Sequence, residues 1–226
     1  MNREELLASM EARHAVRRYL DRVVPDSVRG ELDRAIQECN EQSGLSMLAR
    51  YDEPECFNSL MSHYGKFRNV RNYLAVIGKT GGDQDIVGGY YGQKIVLLAQ
   101  HLGLNSCWVG LSYKKRAVKA ELDENEELLL VVAFGYGEST GRPHNPKPTD
   151  KMGVVLGDGP TPDWFHQGLK AAALAPSALN QQKFYFELDG NTVYAKTKRG
   201  SFVQVDLGIA KYHFEVGAGD ADWNWG

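Results

Sequence analysis

Arginines dominate the residues of this chain that could act on a ligand. Arg13, Arg17 and Arg18 crowd into RHAVRRY, and Arg142, Lys147 and Lys151 follow in the Pro-rich stretch STGRPHNPKPTDKMG. A solvated charged face accounts for either cluster. The chemical alternative is a phosphate site, in which the planar fork of Arg makes bidentate contacts and a more distant Lys adds a point charge. Other combinations fail on spacing. GKT at Gly78–Thr80 offers the Lys and hydroxyl of a phosphate-wrapping loop, but GxxxxGK[ST] requires Gly where Tyr73 stands. GYGE at Gly135–Glu138 has two glycines of a dinucleotide fingerprint, yet it precedes a Pro-rich loop rather than a helix. His63, His101, His144, His166 and His213 lack an i,i+4 partner and a carboxylate at ligand spacing, which leaves a catalytic metal unsupported. Cys107 in NSCWVG has apolar flanks and reads as a packed thiol, and no GxSxG elbow marks a serine nucleophile.

The elements that must position these side chains alternate between helix and strand. Arg3–Met10 and a stretch opened by Pro25-Asp26, with Val28, Leu32, Ala35 and Ile36 on one face, read as helices. NYLAVIG, Asn72–Gly78, is a short apolar run before a Gly-rich turn and reads as a buried strand. From Asp85 to Leu104 apolar residues cover most of a helix's circumference, which predicts a central, buried helix. Gly88, Gly89 and Gly92 in its early turns each cost about 1 kcal/mol of helix propensity relative to Ala, so something must approach that face closely. Leu128–Glu138 predicts a second strand. A helix over Asp163–Leu174, capped by Thr161 or Asp163, leads to a hairpin turning at Asp189-Gly190-Asn191 and a last helix over Asp206–Val216. This second pass echoes the first in shortened form.

With 226 residues, 42% of them hydrophobic, the chain can bury a sizeable core without metals or disulfides. Three cysteines without a CxxC pair argue against a disulfide framework and fit a reducing compartment. A net charge of −3 speaks against nucleic acid as a partner. The longest apolar run, Leu128–Phe134, falls far short of the roughly 20 residues that span a bilayer, and the first residues lack an apolar signal core. The expectation is a cytoplasmic protein with no membrane partner.

Three ordered motifs and a closing helix resemble those of the flavin-dependent nitroreductases, and a subgroup of that fold more closely. RHAVRRY at Arg13–Tyr19 resembles RxSxR[FY], GLNSCWVG at Gly103–Gly110 resembles GLGTCWxGG, and APSALNQQKFYF at Ala175–Phe186 resembles APSxxNxQPWxF. DLGIAKYHFE, Asp206–Glu215, is similar to the subgroup's closing helix.

The resemblance implies an α+β, nitroreductase-like fold and noncovalent FMN. Electrons would pass from NAD(P)H to a small-molecule acceptor such as a nitroaromatic or quinone. It implies that Arg13, His14, Ala15 and Arg17 hold the phosphate and ribityl chain, with Arg142 and Lys147 as a second clamp. Val109, Gly110 and Leu111 would face the ring with backbone groups, and Pro176, Ser177, Ala178 and Asn180 would pack along its other side. No side chain is expected to act as general acid or base, since the cofactor carries the chemistry.

Three departures stand out. Ala15 replaces the usual Ser, Lys183-Phe184 replaces the usual Pro-Trp, and the third motif, which usually follows soon after the arginines, is absent from CNEQSGLSML and appears only in the last third. Family members are homodimers in which each flavin is gripped by both subunits. Here the order implies a single-chain pseudo-dimer, with residues 1–150 supplying phosphate and ring contacts and residues 160–226 supplying what a second subunit would, as one cooperative unit; a homodimer is the alternative. The departures also leave open a flavin-binding protein without turnover, and the fold leaves open other FMN reactions such as dehalogenation or flavin fragmentation.

Overall fold

The computed structural model describes the backbone of residues 1–226 and every side chain except those of Met61 and His63, so the reading of His63 lies outside the described residues. Helix α1 (Arg3–Ala12) starts at a reciprocal cap: Asn2 accepts from the Glu5 amide at 2.9 Å, and Glu5 accepts from the Asn2 amide at 2.8 Å. Helix α2 (Asp26–Ser43) follows Pro25, whose missing donor costs nothing at a helix start. Strands β1 (Leu48–Arg50), β2 (Asn72–Lys79), β3 (Asn105–Val109) and β4 (Glu126–Gly135) form an antiparallel sheet in the order β1-β2-β4-β3.

Both faces of this sheet are covered, which is why β2 is a continuous apolar run rather than an alternating one. Leu74, Val76, Leu130 and Val132 pack toward α2 and helix α4 (Gln84–His101), while Tyr73, Ala75, Val131 and Ala133 pack toward Val16, Tyr19, Phe57 and Phe67. A short helix α3 (Leu60–Tyr64) lies in the segment before β2. Helix α4 ends three residues before the predicted Leu104, because Gly103 turns into the left-handed region at φ 80° and the chain reverses into β3.

After β4 the chain crosses to a second sheet, β5-β6-β7-β8. Strand β5 (Gly153–Val155) pairs in parallel with β6 (Phe184–Asp189), β6 and β7 (Thr192–Thr197) form the predicted hairpin, and β8 (Asn224–Trp225) pairs in parallel with β7. Helix α5 (Asp163–Ala173) is preceded by Pro162; neither Thr161 nor Asp163 provides the expected cap, since Asp163 is already helical. Phe186 stacks on Phe214 with ring centroids 4.7 Å apart, joining this sheet to helix α6 (Val203–Ala218).

Helices α4 and α6 meet over the broadest helix contact in the molecule. Their glycines explain it. A methyl at Gly89 would overlap the Val205 carbonyl oxygen, and one at Gly208 would overlap the Ile86 carbonyl oxygen. The two contacts are reciprocal, since each glycine meets the residue three before the other. The close approach predicted for the α4 glycines is therefore made by α6 at Gly89, by Leu129 and Val76 of the sheet at Gly88, and by the Trp108 ring at Gly92. A buried polar chain crosses the same junction: Trp108 Nε1 donates to Gln93 Oε1 at 3.0 Å, the Gln93 amide meets His213 Nε2 at 2.8 Å, and His213 Nδ1 lies 3.0 Å from the Ala171 carbonyl. Burial pushes the His213 pKa down to about 3, so its ring is neutral and carries the proton on Nδ1. Among the described residues no helix is long and apolar enough to cross a membrane.

Candidate functional site

The arginine-rich segment leaves α1 and runs beside β3. Val16 donates to the Ser106 carbonyl at 3.0 Å and Ala15 bridges Ser106 in parallel, so the segment acts as a rudimentary further strand on the sheet edge. Buried Val16 and Tyr19 anchor it, with the Tyr19 hydroxyl donating to the Val16 carbonyl at 2.6 Å. Arg13 is thereby turned inward and is 3% exposed, and its Nε has no hydrogen-bond partner. Burial pulls its pKa down to about 10, so the guanidinium remains charged at neutral pH without a paired anion. Arg17 is exposed and sits 5.9 Å from the centre of the Phe67 ring. Cys107 is buried beside both arginines; burial raises its pKa and the two guanidiniums oppose that rise, leaving a neutral thiol.

Loop 139–147 descends on this segment. Gly141, at φ 80°, lies where a Cβ would be 2.8 Å from that of His14 and 3.1 Å from the Ala15 carbonyl, so only glycine lets the loop close there. Exposed Arg142 follows it directly. Further along, His144 Nε2 meets the Ala173 carbonyl at 2.8 Å, and Lys147 Nζ donates to the Gln182 carbonyl at 2.7 Å. The Lys147 ammonium thus spends one of its three N–H donors on the third motif's backbone. Burial, then Lys198 and Lys151, lower its pKa.

That third motif is a strained turn. Leu179, Asn180 and Gln182 adopt φ of 53°, 53° and 42°, which costs non-glycine residues on the order of 1 kcal/mol or more each. Its surroundings hold it. Asp206 accepts from the Ala178 amide at 2.9 Å and from Gln181 Nε2 at 3.0 Å, Ser177 Oγ accepts from the Gln182 amide, and Asn180 and Gln182 both donate to the Asn145 carbonyl. Pro176 is half-buried at its start. Asp206 is itself unusual, because burial pushes its pKa up to about 6 against the hydrogen bonds that lower it.

At the end of β3, Val109 is buried, Leu111 is 72% exposed, and Gly110 is covered by the ring of Phe202, which would overlap any Cβ there. Phe202 precedes α6 in the left-handed region at φ 60°. The fold thus links the motifs by two routes: His14 through loop 139–147 to Asn180, and Gly110 through Phe202 and Asp206 to Ala178. The roles of Asp206, Gln182, Asn145 and Phe202 escaped the sequence reading, although Gln182 and Asp206 lay inside quoted motifs and Asn145 inside the Pro-rich stretch. Tyr90, Tyr91 and Phe184 are packing residues, Tyr90 donating to Glu215 at 2.8 Å and Phe184 lying 1% exposed in the core.

A buried guanidinium whose Nε has no hydrogen-bond partner suits an anion with several acceptor oxygens, and a phosphate monoester fits it. Among the described residues no cluster of three His, Cys, Asp or Glu could hold a metal.

The family model described as "Putative TM nitroreductase" matches residues 5–218. Among solved structures, a "putative nitroreductase" of Thermotoga maritima is 19% identical, aligns over 96% of this chain and 85% of its own, and has a TM-score of 0.63. A "putative nitroreductase in complex with FMN" from Desulfovibrio desulfuricans is 18% identical over 70% of this chain and 98% of its own, with a TM-score of 0.54. A "Putative NADH dehydrogenase/NAD(P)H nitroreductase" from Parabacteroides distasonis is 18% identical over 66% of this chain and 96% of its own, with a TM-score of 0.51. No curated protein matches the chain. The α+β fold is therefore that of the nitroreductases.

Proposed function

Since the chain belongs to the TM nitroreductase family, we propose that it is an FMN-dependent oxidoreductase that takes electrons from NAD(P)H and passes them to a small-molecule acceptor such as a nitroaromatic or quinone. The observation that carries the cofactor reading is Arg13, a buried cation whose Nε lacks a partner at the position where the family motif places a phosphate contact. The FMN held by the Desulfovibrio desulfuricans relative supports it.

In this reading Arg13 and His14 bind the phosphate, Arg142 closes over it from the loop seated on Gly141, and Ala15 and Arg17 follow the ribityl chain. Backbone groups of Val109, Gly110 and Leu111 orient the ring, and the turn from Pro176 to Asn180 covers its other side and excludes water. Lys147 braces that turn through Gln182. FMN, when bound, supplies the redox chemistry itself.

We read residues 1–150 and 160–226 as two unequal halves of one pseudo-dimeric unit. The reciprocal Gly89 and Gly208 contacts support this, as does the fact that the Desulfovibrio desulfuricans and Parabacteroides distasonis relatives match only part of this chain with nearly all of their own.

Purified protein tests the reading directly. A yellow preparation whose flavin bleaches with NADH or NADPH and recovers on adding a nitroaromatic is the expected outcome. Protein that takes up no FMN overturns the proposal, and FMN retained without bleaching reduces it to flavin binding. Replacing Arg13 and Arg17 together by Ala should release FMN while leaving the fold intact.

A further inference from the structure

We infer that the open cleft between the arginine-rich segment and residues 54–70 binds an anionic small molecule, the reaction partner of the proposed flavin site; only its role as partner rests on the flavin reading. The cleft has a volume of about 750 Å³, within the range of small-molecule sites. None of the residues assigned above to FMN lines it.

Its chemistry is of one sign. Arg18, Lys66 and Arg68 line it, and no lining residue among those described is acidic, although the chain as a whole has 29 carboxylates against 26 Lys and Arg. Arg18 also lies near a carboxylate outside the lining, with its Nε 3.6 Å from Glu138. A concave surface lined by one sign of charge concentrates oppositely charged ligands. The floor is aromatic: Phe57 and Phe67, each 5% exposed, pack with ring centroids 5.1 Å apart.

The rim is also held in place. Lys66 and Asn69 sit at φ 63° and 54°, a conformation that must be held by its surroundings. The Phe67 amide donates to the Ser62 carbonyl at 3.0 Å, the Arg68 amide to the Arg17 carbonyl at 2.9 Å, and Asn69 Nδ2 to the Tyr19 carbonyl at 3.2 Å. Phe67 carries Arg17 on its ring, and Gly65 packs against Ser112, two residues beyond Gly110. The cleft therefore adjoins both the first motif and the end of the second, and an anion held by its basic residues would stand beside the residues assigned to the flavin ring.

Calorimetric titration of the protein as purified with para-nitrobenzoate and with its near-isosteric neutral counterpart para-nitrobenzamide tests this. The carboxylate should bind about tenfold or more tightly, as charge-assisted hydrogen bonds imply, and added salt should erode the difference. Changing Arg18, Lys66 and Arg68 together to Gln should abolish the preference while leaving amide binding intact, which also reports that the cleft is folded. Equal affinities, or a preference that survives the triple change, overturn the inference. So does competitive displacement of the carboxylate by FMN, which would make the cleft the cofactor's own. Protein that holds no FMN yet prefers the anion would lose the flavin reading and keep this one, and protein that holds FMN without the preference would do the reverse.

Discussion

Replacing Arg13 by Met should stabilise the ligand-free protein and at the same time weaken FMN binding. Burial lowers the Arg13 pKa from 12.5 to about 10, which is the signature of a charge the folded state holds reluctantly. At about 1.4 kcal/mol per pH unit, the native state carries on the order of 3 kcal/mol of unfavourable free energy from this cation. The sign follows from linkage: a cation whose folded pKa lies below its unfolded value weakens the native state at every pH below about 10, and the loss is recovered only as pH rises through that value. Met keeps most of the aliphatic volume, and replacing buried ions with apolar groups of similar size is often stabilising. The expected gain at neutral pH is about 2–3 kcal/mol, or roughly 4–12 °C in Tm for a chain of this length. FMN offsets this gain, since a ligand at a hundred times its Kd adds about 2.7 kcal/mol to the form that binds it. Thermal unfolding of both proteins with and without FMN reads all four values. An Arg13→Met protein that is less stable than the parent without ligand, or that gains as much from FMN, would refute the reasoning, because Arg13 would then be satisfied within the fold and the phosphate would lie elsewhere.

Asp206→Asn tests the brace under the third motif. A carboxyl whose pKa is raised to about 6 contributes most below its unfolded pKa, near 4, and that contribution is lost as pH rises through 6; the variant should be more stable than the parent by up to about 3 kcal/mol at pH 8 and no more stable at pH 4, as urea unfolding at the two pH values will show. Gly208→Ala places a methyl on the Ile86 carbonyl and should cost about 1–3 kcal/mol as α4 and α6 are pushed apart. Gly30→Ala, on a helix position with open space around it, should instead gain about 0.5–1 kcal/mol. His213→Leu leaves the Gln93 amide without its buried partner and should cost about 1–3 kcal/mol with no change in pH dependence between 5 and 8, because the ring it replaces is neutral throughout.

Periodicity and composition by themselves determined the elements that bury most of their surface in any packing. The apolar run Asn72–Gly78, the strand read over Leu128–Glu138, which in the fold starts at Glu126 and ends at Gly135, the helix α4 with its costly glycines, and the hairpin at Asp189–Asn191 were all legible, because their patterns reflect burial, helix propensity and turn chemistry within a few residues. The three motifs likewise pointed to the family and to Arg13. Strands β1, β5 and β8 were not legible, since two or three residues carry no period and become strands only through the neighbours that pair with them. The same holds for the site. That the Arg13 Nε is buried without a partner, that Lys147 donates to a carbonyl, that Phe202 covers Gly110, and that Asp206 holds a strained turn all depend on contacts between residues 25 or more positions apart. Such contacts arise where α6 docks on α4 and loop 139–147 closes on His14, and the free energies involved, desolvation and backbone strain, exist only once distant segments are brought together.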